Sequence, residues 1–131
     1  MPRKRRDALQ TRLALVRAAE RLFATRGVDA VSLREVSAAA RQRNNSAVRY
    51  HFKSREGLID AILDRHANPI QERYSAQLDL LERQGPLDLP TLMNVLGRPV
   101  VAKLDDPDGG AHFVSISAQL SVNPVLPLTM R

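Results

Sequence analysis

Residues 31–55, VSLREVSAAARQRNNSAVRYHFKSR, predict two short helices joined by a polar turn. Ser32 is followed three residues later by Glu35, which forms a capping box in which each side chain satisfies a free backbone N–H at a helix start. The first helix of the pair is therefore predicted to begin at Leu33. Residues 41–44 contain no apolar side chain, so they form the predicted turn.

The second helix of the pair is predicted to follow Asn44 or Asn45, because either side chain can cap it. On an ideal helix Val48 and Phe52 point together. The opposite side carries the small, polar and aromatic residues Ser46, Ala47 and Tyr50. Arg49 and His51 flank this side. Such a helix suits a major groove, because its inner side holds it on the domain, its outer side meets base edges and its flanks meet phosphates.

Positive charge is concentrated in the first half of the chain. Residues 1–55 contain 14 Lys/Arg and 4 Asp/Glu, a net charge of +10, whereas residues 56–131 contain 6 and 10, a net charge of −4. This division predicts that the first half binds a polyanion and that the second half has another task. Residues 1–6 form a basic arm that we expect to be disordered in the free protein and able to lie along phosphates or in a minor groove.

A long helix is predicted before the pair, beginning at Asp7 or Thr11. Its apolar stripe has helical spacing throughout and consists of Leu15, Ala18, Ala19, Leu22 and Phe23. Gly27 is expected to end it by supplying a positive backbone φ at the helix C-terminus. Three helices of this length make a bundle near the lower size limit for independent stability, so the bundle should need support from the second half of the chain.

Further helices are predicted in the second half of the chain. Ser54 can cap the first of them, in which Pro69 should cause a kink or a break near residues 67–69, because proline lacks a backbone N–H and crowds the preceding turn. Another helix is predicted around residues 92–100, and after it a loop at residues 105–110, DDPDGG.

The last predicted element is ambiguous in its periodicity. Phe113, Ile116 and Leu120 have helical spacing, whereas residues 114–118 also alternate as in a strand. We expect a helix, because nothing else in the sequence predicts a sheet, and the fold class is therefore all-α. The expected division of the chain is a basic arm plus helix-turn-helix domain at residues 1–53 and a helical region at residues 54–131.

Composition argues against several functional classes. The 131 residues include no cysteine, which excludes disulfides, and the three histidines lie far apart, so we expect neither a metal site nor a cofactor. The sequence has no glycine-rich phosphate loop, nucleophile elbow or HExxH motif, and we expect no enzymatic activity. No apolar run reaches the roughly 18 residues that span a bilayer. A soluble, cytoplasmic protein without a membrane partner is expected.

Residues 9–66 resemble the N-terminal domain of the tetracycline-repressor-like (TetR/AcrR) family of bacterial transcription regulators. The matching pieces share their order and spacing with the family and are Thr11-Arg12, Ala18-Ala19, Leu22-Phe23, Gly27, residues 32–36 (SLREV) and residues 50–58 (YHFKSREGL). The chain departs from the family in its turn, which is one residue longer than usual and has Arg41 where a glycine is common. Arg49 also replaces the first of a common pair of tyrosines. Family members usually carry more C-terminal helices, so we expect this chain to be incomplete at that end.

The resemblance implies an all-helical homodimer whose first three helices bind double-stranded operator DNA and whose remaining helices form an effector pocket and a dimer interface. The DNA contacts it implies are Arg34, Arg43, Asn44, Asn45, Ser46, Ala47, Arg49, Tyr50, His51 and Lys53. Base contacts are implied for Ser46, Ala47 and Tyr50, phosphate contacts for Arg49, His51 and Lys53, and either kind for Arg34.

Two functions fit these features. The first is a repressor that a small-molecule effector releases from its operator, by shifting the helix that comes after the recognition helix. The candidate pocket residues are His66, Tyr74, Met93, Leu96, His112 and Phe113, of which His66 lies on an apolar stripe and is expected to be packed. The second is an accessory or architectural DNA-binding protein without an effector. A footprint with two half-sites would favour the first, and uniform coating of any duplex the second.

Overall fold

The computed structural model describes residues 2–43 and 46–122, and throughout these ranges the regular elements are α-helices. The all-α prediction is therefore confirmed. The six helices are α1 (Arg3–Arg26), α2 (Leu33–Ala39), α3 (Ser46–Phe52), α4 (Arg55–Glu82), α5 (Leu89–Leu104) and α6 (Gly110–Val122). None of these helices is both long enough and apolar enough to cross a membrane.

Local capping chemistry sets the helix boundaries where it was predicted. Glu35 N–H donates to Ser32 Oγ at 3.1 Å, and Ser32 N–H donates to Glu35 Oε2 at 2.8 Å, which completes the capping box at the start of α2. Ser54 Oγ accepts from the backbone N–H of Gly57 at 3.1 Å and caps α4. At the end of α1, Gly27 has φ +101°, and its N–H still donates to the carbonyl of Phe23.

The start of α1 differs from the prediction. The backbone N–H groups of Arg5 and Arg6 both donate to the carbonyl of Pro2, and α1 begins at Arg3 rather than at Asp7 or Thr11. The expectation of a disordered basic arm is therefore wrong for residues 3–6. Once the buried part of α1 has formed, each residue added to its end gains a hydrogen bond without a new nucleation cost, so the helix extends outward over exposed arginines.

Pro69 does not break α4. The helix is continuous through residues 67–69, although Pro69 lies inside it and lacks the N–H of a regular turn. Buried His66 and Ile70 lie on either side of the proline and hold both halves of the helix against neighbouring elements. Tertiary packing thus overrides a local signal that, in an isolated peptide, would have ended the helix.

The helical prediction for the last element is confirmed by α6. Phe113, Ile116 and Leu120 are all buried, with Ile116 fully so, and the alternation of residues 114–118 has no structural counterpart. The predicted acidic loop occupies residues 105–109 between α5 and α6.

One apolar core runs through both halves of the chain. It combines side chains of the first three helices with those of α4 and α6, the largest fully buried ones being Phe23, Leu15, Leu58, Ile62, Ile116, Val16, Val31, Val36 and Val48. The boundary expected between residues 53 and 54 stays a prediction, but this core crosses it. Helix α6 therefore supplies the support that the small trihelical bundle was expected to need.

Polar contacts fix α6 against the end of α1. The side-chain amide of Gln119 donates to the carbonyl of Phe23 at 3.0 Å and accepts from the N–H of Val28 at 2.9 Å. Ser115 Oγ also donates to the carbonyl of Ala24 at 3.3 Å. Gln119 thus satisfies backbone groups where α1 ends and the chain turns toward α2.

We expect Gln119→Ala to lower the free energy of unfolding by about 1–3 kcal/mol, because the N–H of Val28 loses its partner at a partly buried position. Urea unfolding followed by circular dichroism measures the change. Gln77→Ala is the matched control, since Gln77 is exposed on α4. Equal stability of the two variants would show that the contact of Gln119 contributes nothing.

Candidate nucleic-acid interface

Helix α3 buries one side and exposes the other, as its periodicity predicted. Val48 is fully buried and Phe52 is 6% exposed, whereas the side chain of Tyr50 is 81% exposed. A large aromatic ring so open to solvent contributes little to folding, because little of its surface leaves water. Tyr50 is therefore available to a partner of the folded protein.

Most of the described residues that were predicted to contact DNA have exposed side chains. Those with exposed side chains are Arg34 on α2, Arg43 in the turn, Ser46 and Arg49 on α3, and Lys53 just beyond it. Ala47 and His51 are half-buried, and Asn44 and Asn45 lie outside the described residues. The contacts themselves stay predictions.

The guanidinium of Arg12 anchors α3 from the side of α1. It lies 5.0 Å from the centroid of the Phe52 ring, in the geometry of a cation–π contact. The same charge affects His51, whose pKa is lowered first by burial and second by repulsion from Arg12. His51 is therefore neutral at pH 7 in the free protein.

Two further residues hold the end of α3 against its neighbours. Arg55 Nη2 donates to the carbonyl of Val31 at 3.0 Å and ties the start of α4 to the segment before α2. A Cβ added to Gly57 would lie 2.0 Å from the backbone oxygen of Phe52, so the chain can pass here only with a glycine. Neither role was predicted from the sequence, although both residues lie in the segment that carries the family resemblance.

Left-handed backbone occurs on both sides of α3. Arg41 has φ +59° in the turn after α2, and Lys53 has φ +66° after α3. Arg41 occupies the position at which the family commonly has a glycine, and the positive φ explains that preference, since a side chain in this region costs roughly 1–2 kcal/mol. An arginine here places one more cation beside α3.

An ion pair fixes α2 relative to α1. Arg26 Nη2 lies 3.0 Å from Glu35 Oε1. The pKa of Glu35 lies below its ordinary value, first because it accepts the backbone N–H of Ser32 and then because of Arg26. The Glu35 carboxylate therefore both caps α2 and pairs with Arg26 of α1.

The six candidate pocket residues take part in different contacts. The rings of His66 and Phe113 stack with centroids 5.0 Å apart, and Tyr74 donates its hydroxyl hydrogen to the carbonyl of Leu96. Met93 is 62% exposed and lines a shallow groove on α5. His112 is half-buried. A single effector pocket containing all six stays a prediction.

Comparisons with known proteins agree with this geometry. Residues 15–62, from within α1 to within α4, match the family described as bacterial regulatory proteins, tetR family. Residues 15–62 are thus similar to the DNA-binding domain that defines this family. The chain is also 28% identical over 105 residues to the HTH-type transcriptional repressor BepR of Brucella suis biovar 1 (strain 1330), covering 80% of this chain and 46% of that protein.

A solved structure shares both fold and sequence with the chain. It is 31% identical, with a TM-score of 0.51, and the match covers 91% of this chain and 60% of the other. That structure concerns the molecular basis for control of antibiotic production by bacterial hormones. The chain thus spans about half the length of the curated relative and somewhat more of the structural one.

We expect Gly57→Ala to displace the end of α3 and to destabilise the protein by about 1–3 kcal/mol, because the new methyl group meets backbone rather than a flexible side chain. Thermal unfolding gives the stability, and amide NMR shifts of residues 46–53 report the displacement. Gly97→Ala in α5 is the control, since a Cβ there meets no described atom within 4 Å. Unchanged α3 shifts in Gly57→Ala would contradict the close approach.

Proposed function

We propose that the protein is a sequence-specific DNA-binding transcription regulator, a repressor that binds its operator as a homodimer and that a small-molecule effector releases. The observation that carries the proposal is α3, which is fixed by buried Val48 and Phe52 and presents Tyr50 to solvent on the basic half of the chain. Similarity to a repressor supports the proposed repression, and similarity to a protein studied for hormone control supports the proposed release by a small molecule.

In this proposal the two kinds of DNA contact come from different sides of α3. Ser46, Ala47 and Tyr50 meet base edges in the major groove and supply sequence discrimination. The phosphate contacts come from Arg49, His51 and Lys53, while Arg34 reaches either a base or a phosphate. The other proposed DNA contacts are Arg43, Asn44 and Asn45. Affinity then depends mainly on phosphate neutralisation, because a single short helix offers few base contacts.

The proposed role of residues 54–131 is effector binding and dimerisation. Helix α4 directly follows the recognition element, and α6 packs against α1 through Ile116, Leu120 and Gln119. A conformational change in residues 54–131 can therefore be transmitted to residues 1–53 through α4 and α6. Release requires that the effector bind more tightly to the conformation that fits DNA poorly.

Substitutions on α3 should separate base reading from phosphate binding. A preferred duplex is first selected from random DNA, and affinities are then measured by fluorescence anisotropy across a salt series. We expect Lys53→Ala to weaken all duplexes alike and to reduce the slope of log K against log salt by about 0.9. Tyr50→Ala should instead lose about 1–3 kcal/mol of discrimination at one or two base pairs.

Arg83→Ala is the control for these variants, because Arg83 is exposed at the far end of α4. Equal affinity of the unmodified protein for selected and scrambled duplexes would contradict the proposal and favour an accessory, architectural role. A Tyr50→Ala variant with unchanged discrimination would remove Tyr50 from the base-reading surface.

DNA affinity should depend on pH through His51. The imidazole is neutral in the free protein at pH 7, because burial and Arg12 lower its pKa, whereas a nearby phosphate would favour its protonated form. Binding would then take up a proton, and affinity should rise as the pH falls from 8 toward 6, by at most about tenfold per pH unit for one proton. His51→Gln should abolish this component at constant salt. A pH profile identical in the two proteins would show that His51 takes up no proton when DNA binds.

A further inference from the structure

A series of buried polar contacts connects α1 with α4 and α5. Glu20 of α1 is 2% exposed, and its Oε1 accepts from Arg65 Nη1 at 2.6 Å and from His66 Nε2 at 2.8 Å. The other ring nitrogen of His66, Nδ1, lies 3.1 Å from Nζ of Lys103 on α5. Since a carboxylate cannot be buried without partners, these contacts are a condition for packing the three helices together.

The chemistry of Lys103 determines the tautomer of His66. An ammonium group can only donate, so Nδ1 accepts from Lys103 and Nε2 carries the hydrogen that goes to Glu20. Arg65 Nη1 lies 3.1 Å from Nε2 as well, but both nitrogens act as donors to the same oxygen, Oε1 of Glu20. The ring of Phe113 stacks on the imidazole with an interplanar angle of 24° and restricts its rotation. Lys103, His66 and Glu20 therefore form a directed hydrogen-bond relay from α5 to α1.

The Lys103 end of this relay borders a cleft between α4 and α5. The cleft has a volume of about 180 Å³. Its apolar lining consists of Pro69, Ile70, Pro99 and Ala102, and its polar lining of Arg73, Lys103 and Asp106. Lys103 Nζ donates to Asp106 Oδ2 at 3.1 Å and to His66. Among the described residues these contacts use two of its three hydrogens, and the third is the donor that the cleft can offer to a guest.

We propose that this cleft binds a small organic carboxylate and that the relay through His66 transmits its presence to α1. The carboxylate meets the two cations, Lys103 and Arg73, and a short apolar tail packs against the two prolines. The inference rests on the proposed function and deepens it, because it gives the effector a chemical class and gives the signal a route. An anion that pairs with Lys103 weakens the hold of that ammonium on His66, and the imidazole then repositions relative to Glu20.

The loop after α5 offers a second connection from the same cleft. Asp106, which shares Lys103 with the guest, accepts the backbone N–H of Asp108 at 2.9 Å. Asp108 in turn pairs with Arg65 and, at 3.1 Å, with Arg17 of α1. Its hydrogen bonds with Arg17 and then Arg65 hold the pKa of Asp108 well below its ordinary value, at about 2, so it is ionised throughout the physiological range. Displacement of Asp106 by a guest anion therefore also acts on a charged contact to α1.

Isobutyrate is a suitable probe, because it has one carboxylate and a short branched tail, and isobutyramide is its neutral counterpart. Titration of the isotope-labelled chain, monitored by amide NMR, should shift residues lining the cleft with isobutyrate only. We expect about tenfold weaker binding in Lys103→Met and a clear loss in Arg73→Met, the value of one charge-assisted hydrogen bond.

Arg73 is exposed, so Arg73→Met tests the site even if Lys103→Met fails to fold. The control is Arg98→Met, because Arg98 lies on the same helix as Lys103 but does not line the cleft. This variant should bind isobutyrate with the affinity of the unmodified chain. Equal shifts with isobutyrate and isobutyramide, or unchanged affinity in Arg73→Met and Lys103→Met, would overturn the inference.

His66→Phe tests the relay separately from the cleft. This variant keeps an aromatic ring against Phe113 but removes both hydrogen bonds, so isobutyrate should still bind within about twofold while the shift at Glu20 disappears. A response of Glu20 that persists in His66→Phe would show that the signal takes another route. None of these measurements requires DNA. A separate measurement of affinity for the selected duplex tests the proposed release. If isobutyrate binds and shifts Glu20 but leaves this affinity unchanged, release by an effector is contradicted, whereas binding in the cleft and transmission through His66 are still supported.

Discussion

The packing of α1 between α3 and α6 is the constraint on which the rest of the structure depends. Leu15, Phe23 and their buried neighbours on α1 contact a core that includes Val48 of α3 on one side and Ile116 of α6 on the other. A seven-residue helix such as α3 is too short to be stable alone, since isolated helices below about 12–15 residues are marginal in water. The position of α3 is therefore determined by its tertiary contacts with α1, α2 and α4.

The same arrangement makes the first half of the chain sensitive to the second half. The carboxylate of Glu20 lies on the core-facing side of α1, and burying it requires cationic and hydrogen-bonding partners from α4. An apolar residue at this position would pack without any such requirement. The charged group makes the stability of the α1 position conditional on Arg65 and His66, because a buried charge without partners is strongly destabilising.

The distance along the chain between interacting groups decides which features could be predicted from the sequence. The Ser32–Glu35 capping box, the positive φ of Gly27 and the inner face of α3 involve residues within one or two helical turns, and all were predicted correctly. Gln119 meets Phe23, and Asp108 meets Arg17, across about ninety residues. No periodicity encodes such contacts. The predictions of a disordered arm and of a helix break at Pro69 were wrong for the same reason. Each was inferred from local sequence, whereas the helix concerned is stabilised by residues distant in the chain.

The basic charge of the first half is not all available to a polyanion. Arg12 lies on the Phe52 ring, Arg17 pairs with Asp108, Arg26 with Glu35, and Arg55 donates to the Val31 carbonyl. These four cations already have partners within the protein, so each of them is less available to a phosphate than a cation without such a contact. The net charge of +10 therefore overstates the number of phosphates that the domain can neutralise. Since the salt dependence of binding counts only the phosphates neutralised, its slope should be smaller than the charge alone suggests.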